Sequence, residues 1–215
     1  MFPMHVESVE DLAAGRRIVQ RGDSLFQAGD LFKSLYTIYG GFLKSTVASV
    51  VGRRQITGFY MVGDLLGWDG INSGRHVFDV SALEDTEVRV FPFEGLEDAA
   101  SAMPILWTHL YKSMSREIVR DHEVMLLLGS MRAEERLAAF LLNLSQRFKA
   151  CGYPHSAFVL RMTRAEIGSF LGLKLETVSR AFSLFVRDGL IEVDNRRVKI
   201  ISAVGLRQVA TGARP

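Results

Sequence analysis

Between Arg161 and Ile201 the chain holds two short apolar-periodic runs split by a glycine and followed by an apolar alternation, an order that few folds accommodate. It predicts a helix-turn-helix with a β-hairpin wing. Thr163 and Glu166 have capping-box spacing, and Ile167, Phe170 and Leu171 give the first helix one apolar face. Gly172 then supplies a turn residue that tolerates positive φ, Gly168 is small where two helices must approach, and Val178 falls where the second helix packs back. The second helix is expected over about 175–187, with Val178, Phe182 and Phe185 inward and Glu176, Ser179 and Arg180 together on the opposite face.

That face has the chemistry of a base reader. An arginine fork matches guanine O6 and N7, a carboxylate accepts from cytosine N4, and a hydroxyl suits either edge. A carboxylate aimed at DNA is otherwise repelled, so Glu176 makes sense as a specificity element. The bland reading is a solvated face with an intrahelical Glu176–Arg180 pair worth about 0.3 kcal/mol; it leaves the turn, the packing residues and the wing unexplained. In the wing, Leu190, Ile191 and Val193 lead to Asp194-Asn195, and Val198, Ile200 and Ile201 return. Arg196, Arg197 and Lys199, with Thr163, Arg164, Lys174 and Thr177 around the two helices, are the expected phosphate contacts. Lys174 stands where Ser or Thr would normally cap, at a cost of about 1 kcal/mol.

Charge is distributed unevenly. Residues 151–215 carry ten Lys and Arg against five Asp and Glu, whereas residues 1–150 carry sixteen against nineteen. A basic C-terminal module beside a mildly acidic partner is the footprint of a DNA-binding domain joined to something else. The single cysteine, Cys151, excludes an internal disulfide and any all-cysteine metal site within this chain. No run of eighteen apolar residues occurs, and Met1 to Gly15 lacks a basic start followed by an apolar stretch, so the expectation is a cytoplasmic chain with no membrane partner.

Ahead of this module, turn signals recur about every eleven residues: Gly29-Asp30, Gly40-Gly41, Gly52-Arg53, Gly63-Asp64 and Gly74. Between them lie runs such as Leu35 to Tyr39, Ile56 to Val62 and Val77 to Leu83, with Val88 to Phe91 beyond and Leu25-Phe26 expected to open the set. This punctuation predicts a β-sandwich, jelly roll or barrel. From Met103 the period changes: Trp107, Tyr111, Met114, Ile118, Asp121 and Met125 are spaced 4, 3, 4, 3, 4. That is a heptad seam, flanked by Lys112, Arg116, Glu117 and Arg120, and is better explained by pairing with an identical helix than by packing on the chain's own strands. A further helix over Ala133 to Lys149, with Leu137, Phe140, Leu141 and Leu144 on one face, would tie the seam to the DNA-binding module.

Strand-rich domain, long helix and winged helix-turn-helix, in that order, resemble the CRP/FNR superfamily of bacterial transcription regulators, and the FNR branch in particular. The resemblance runs through Gly22 to Asp30, Lys33-Ser34-Leu35-Tyr36, Gln55-Ile56-Thr57-Gly58-Phe59, Gly63-Asp64-Leu65, Ala82-Leu83-Glu84, Pro92-Phe93-Glu94, Ala133-Glu134-Glu135-Arg136-Leu137 and Glu176-Thr177-Val178-Ser179-Arg180. It implies an α+β fold: a β-roll sensor domain of jelly-roll type over 1–102, a dimerisation helix over 103–130 and a winged helix-turn-helix over 131–215. The last motif resembles the base-reading string of FNR-like proteins. The implied target is therefore a palindrome of the type TTGAT, four spacer bases, ATCAA, bound by a homodimer on double-stranded DNA. Dimeric helix-turn-helix geometry independently demands twofold half-sites about one helical turn apart.

The departures carry information too. FNR-like oxygen sensors hold an iron–sulfur cluster through cysteines; here no cysteine precedes Cys151, and Arg89 occupies the position that resembles the fourth ligand. The expectation is a chain without that cofactor. In the CRP branch the cyclic nucleotide is held by Gly-Glu-Leu-Gly followed by Arg-Ser-Ala. This chain has Gly63-Asp64-Leu65-Leu66-Gly67 and then Arg75-His76-Val77-Phe78, so the Arg-Ser pair is missing and Phe78 is expected to crowd the pocket. Haem stays open, with His5, His76, His109 and His122 as its candidate ligands, as do another small effector and no ligand at all. RNA polymerase is a further partner that the resemblance implies, through surface loops; Arg53 and Arg54 at the Gly52 turn stand where relatives tend to be acidic, which favours repression or another contact surface.

An enzyme is the competing class. A cupin-like metal site would need clustered ligands, and residues 60–90 contain only His76. No Ser/His/Asp constellation or phosphate-cradling glycine loop is present, so no enzymatic activity is expected. A purely structural dimer would leave the basic wing and the Glu176/Arg180 face without a role.

Overall fold

In the computed structural model, which describes residues 15–49, 52–94, 96 and 104–213, the glycine-punctuated segment folds into two four-stranded antiparallel sheets. One has the order β1-β8-β3-β6, from Gly15–Val19, Thr86–Pro92, Ser34–Gly40 and Leu65–Leu66; the other is β2-β7-β4-β5, from Ser24–Phe26, Asp79–Ala82, Phe42–Ala48 and Arg54–Met61. Side chains of both sheets meet in one core of Val19, Phe26, Ile38, Leu43, Tyr60, Val80 and Val88. Strand alternation turns the odd-numbered side chains of β3 and β8 away from that core, and Leu35 and Phe91 there meet Leu106 and Leu110 in a second cluster.

The roll opens earlier than the sequence predicts. Leu25-Phe26 is not its first strand: Gly15–Val19 precedes it as an edge strand of which only Val19 is buried, so it carries no alternation that could announce it. Met103, where the sequence predicts the change of period, lies outside the described residues, and helix α1 runs over Pro104–Ser130. Two residues then separate it from α2, Ala133–Ala150, which buries Leu137, Ala138, Phe140, Leu141 and Leu144. Cys151 terminates α2.

The chain divides into two compact units, residues 1–120 and 121–215, the division falling inside α1. The second contains α3 (Arg164–Leu171), α4 (Leu175–Arg187), the hairpin β10–β11 (Ile191–Asp194 and Arg197–Ile200) and two further elements not predicted from the sequence. These are β9, Ala157–Val159, which completes a β10-β11-β9 sheet by setting Phe158 opposite Val198, and α5, Ala203–Ala210, capped by the Ser202 hydroxyl. No helix among the described residues is long and apolar enough to cross a membrane.

Candidate nucleic-acid interface

Local chemistry builds the helix-turn-helix as the sequence predicts. The Glu166 carboxylate accepts from the Thr163 backbone N–H at 2.7 Å, and the Thr163 hydroxyl accepts in turn from the Glu166 N–H at 3.2 Å. Gly172 ends α3 with φ of 64°. A Cβ on Gly168 would stand 2.6 Å from the Leu173 carbonyl oxygen, so the α3–α4 turn closes only over a glycine. Beneath it Val178, Phe182 and Phe185 are buried. Lys174 begins α4 without a side-chain cap.

Glu176, Ser179 and Arg180 lie together on the exposed face of α4, one and two places around from buried Val178 and Ala181. Among the described residues neither Glu176 nor Arg180 has an ion-pair partner. The intrahelical pair of the bland reading is therefore not formed, and both charges face solvent from a rigid, well-packed helix.

The phosphate candidates divide. Lys174, Arg196 and Arg197 are exposed, the last two at the β10–β11 turn, where Asn195 takes a left-handed φ of 53° that asparagine tolerates. Thr177 is half-buried. Lys199 is bonded across the hairpin to Glu192 at 3.0 Å, and the Thr163 hydroxyl is spent on its capping box. Arg164 does not reach outward: its guanidinium lies 3.1 Å over the Phe182 ring, one of its nitrogens, Nη1, is buried without a partner, and desolvation pulls its pKa down to about 10. It remains charged at neutral pH.

Five of the six heptad side chains on α1 lie at the surface. Tyr111, Met114, Ile118 and Met125 are exposed, as is Asp121, whereas Trp107 is half-buried against the Leu35–Phe91 cluster. Glu117 and Arg120 are not solvated flanks of that seam. Arg120 donates to Asp64 at 2.9 Å and to Glu117 at 3.0 Å, and the Tyr60 hydroxyl donates to Glu117 at 3.1 Å, so both charges turn onto the β-roll. Burial, reinforced by Glu117, raises the pKa of Tyr60; for Arg120, burial alone would lower it, but Asp64 and Glu117 raise it. Sequence reasoning missed this network because its members are 56 and 57 residues apart.

The ligand-binding candidates inherited from the resemblance are differently placed. His76 is buried, stacked on Phe26 at 3.7 Å and bonded through Nδ1 to buried Asp69 at 3.2 Å. Phe78 packs on the core, and Arg75 donates to the Gly29 carbonyl. Arg89 lies with its guanidinium 4.8 Å over the Tyr39 ring. His109 and His122 are exposed, and His5 lies outside the described residues. Among the described residues no three His, Cys, Asp or Glu side chains cluster as metal ligands do. Arg53 is exposed, while Arg54 is paired with Asp79.

Residues 135–209 match the Crp-like helix-turn-helix domain, and residues 16–102 match the cyclic nucleotide-binding domain. The transcriptional regulatory protein btr of Bordetella pertussis is 45% identical over 204 residues, covering 95% of this chain and 84% of that protein. The fumarate and nitrate reduction regulatory protein of Escherichia coli is 42% identical over 205 residues, covering 95% and 82%. The chain belongs to the CRP/FNR family of DNA-binding transcription regulators. Its fold is that of the family: the structure of FixK2 from Bradyrhizobium japonicum superposes with a TM-score of 0.81 at 29% identity, over 91% of this chain and 96% of that one. A CRP/FNR chain is a regulator and not an enzyme, and its unpartnered Glu176 and Arg180 sit on the second helix of the matched helix-turn-helix.

Proposed function

We propose that this CRP/FNR regulator acts in the cytoplasm as a homodimer that binds a palindrome of the type TTGAT, four bases, ATCAA, with Glu176, Ser179 and Arg180 reading base edges. The observation that carries the reading is the exposed, unpaired Glu176/Arg180 face on α4, next to a buried Val178–Phe182–Phe185 face that fixes its direction. Lys174, Thr177, Arg196 and Arg197 take phosphates; Thr163, Arg164 and Lys199 join them only by giving up the capping box, the Phe182 stack and the Glu192 pair. The exposed Tyr111, Met114, Ile118 and Met125 strip supports a symmetric α1 seam. The exposed Arg53 at the Gly52 turn supports repression, or activation through another surface that meets RNA polymerase.

A titration of this duplex against salt tests the reading. With about six phosphates neutralised by the Lys174, Arg196 and Arg197 pairs of a dimer, the slope of log K against log salt is expected to be about −5. A shallow slope, or equal affinity for scrambled DNA, rejects it. In a parallel dimer the two Asp121 carboxylates approach each other, so Asp121→Ala is expected to tighten the dimer by on the order of 1 kcal/mol, about fivefold. Analytical ultracentrifugation showing no change removes Asp121 from the seam.

The reading carries no iron–sulfur cluster: such a cluster needs cysteine ligands, and the position resembling the fourth holds Arg89 stacked on Tyr39. It also carries no cyclic nucleotide, because the segment that would take the phosphate holds the buried His76–Asp69 pair, with the partly buried Phe78 packed against the core. A second reading, a regulator that senses another small molecule, is favoured by a cavity of about 190 Å³ between the outer face of β3 and α1. Leu35, Phe91, Leu106 and Leu110 form its apolar floor, and His109, Ser113 and Arg116 its polar rim. A Soret band in the purified protein would identify haem; a melting-temperature rise with medium-chain carboxylates and a featureless visible spectrum would identify an organic anion.

A further inference from the structure

One arginine holds three helix ends together. Arg136, in the first turn of α2, donates from Nε to the Met131 carbonyl, from Nη2 to the Leu128 carbonyl and from Nη1 to the Leu171 carbonyl, each at 2.9 Å. Leu128 and Met131 lie at the C-terminal end of α1, and Leu171 is the last residue of α3. Carbonyls in the final turn of a helix have no intrahelical donor and carry the negative end of the helix dipole, so a guanidinium fork satisfies both needs at once. The same charge is unfavourable at the start of its own helix, where acidic Glu134 and Glu135 are the suited neighbours. Arg136 is therefore placed for α1 and α3, at some cost to α2.

The contact leaves little room for alternatives. A Cβ on Gly172 would stand 3.3 Å from Arg136 Nη1 and 3.4 Å from Leu128 Cδ2, so the end of α1 is packed against the turn of the helix-turn-helix. The Glu135 carboxylate accepts from the Arg132 backbone N–H at 2.8 Å, which stiffens the two-residue link between α1 and α2. None of the groups that shape α4, namely Gly168, Val178, Phe182 and Phe185, is bonded to Arg136.

We infer that Arg136 is a positioning residue that fixes the angle between the end of α1 and the helix-turn-helix, and thereby selects the distance between the two half-sites a dimer can occupy. The inference rests on the dimeric reading above. In a twofold complex any rotation of α4 relative to α1 occurs twice, in opposite senses, so a loosened joint blurs the spacing between half-sites while each α4 keeps its own reading face. One base pair of spacer shifts a half-site by about 3.4 Å and turns it by roughly 34°. Lysine cannot replace the fork, because its three donors radiate from a single nitrogen.

The test uses the full chain and duplexes in which two TTGAT-type half-sites are separated by two to six bases, together with a duplex carrying one half-site. The unsubstituted protein is expected to prefer one spacer over its neighbours by about tenfold or more, since a one-base change misplaces both phosphate and base contacts. In Arg136→Lys and Arg136→Gln that preference is expected to fall to about threefold or less, with affinity for the single half-site within about twofold and the sedimentation behaviour unchanged. An unaltered spacer profile in either folded variant overturns the inference, as does an equal loss on single and paired half-sites. Loss of cooperative folding in both variants would make Arg136 a stability residue and overturn it too. If the unsubstituted protein has no spacer preference, it is the dimeric reading that fails.

Discussion

Arg180→Ala is expected to weaken binding to the palindrome by about 1–3 kcal/mol per half-site contact, roughly 5- to 150-fold, and to flatten discrimination at the guanine it reads. The magnitude follows from its surroundings. Arg180 is exposed on α4 with no partner among the described residues, so truncation removes the proposed DNA contact without leaving a buried group unsatisfied and without opening a cavity. Stability should change by less than about 0.5 kcal/mol. Fluorescence anisotropy against the palindrome and against a duplex altered at that guanine separates the two effects. A uniform loss on both duplexes would make Arg180 a phosphate contact, and no loss on either would remove it from the interface.

Phe185→Ala is the largest expected effect on stability. Phe185 is fully buried on the inner face of α4, and truncating such a ring removes its burial energy and leaves a cavity, for about 3–5 kcal/mol together. Val186, next along the same helix, is 45% exposed and serves as the control: Val186→Ala should stay within about 0.5 kcal/mol. Because the chain divides into two units, the loss should appear in the unfolding transition of residues 121–215, followed by far-ultraviolet circular dichroism in urea. Equal midpoints for the two variants would contradict the burial of α4. The same substitution should also weaken DNA binding, since the reading face is held in place by the face beneath it.

The two substitutions separate what was readable along the chain from what was not. Around α4 everything needed lies within the 23 consecutive residues from Thr163 to Phe185: Thr163 and Glu166 cap within one turn, Gly168 and Gly172 answer steric demands of the adjoining turn, and Val178 to Phe185 repeat at helical spacing. The wing was legible for the same reason, as an alternation broken at Asp194-Asn195. The heptad strip on α1 was legible as a period, although the same periodicity did not reveal that Trp107 leans on the β-roll or that Glu117 and Arg120 turn toward Asp64 and Tyr60. A residue with two faces available declares its period and not its partner.

Sequence alone thus determined the order of parts, the helix-turn-helix with its outward Glu176, Ser179 and Arg180, and the presence of Arg89 where a cysteine ligand would be needed, since each depends on residue identity or on neighbours within a few turns. Tertiary structure alone decided the edge strand Gly15–Val19, the third wing strand Ala157–Val159, the buried His76–Asp69 pair and the Arg136 clamp on Leu128, Met131 and Leu171. In those cases the stabilising partner is a backbone group or a side chain brought close only by folding. Backbone carbonyls are identical in every sequence, so a contact such as Arg136 to Leu171 leaves no mark until the chain has placed them side by side.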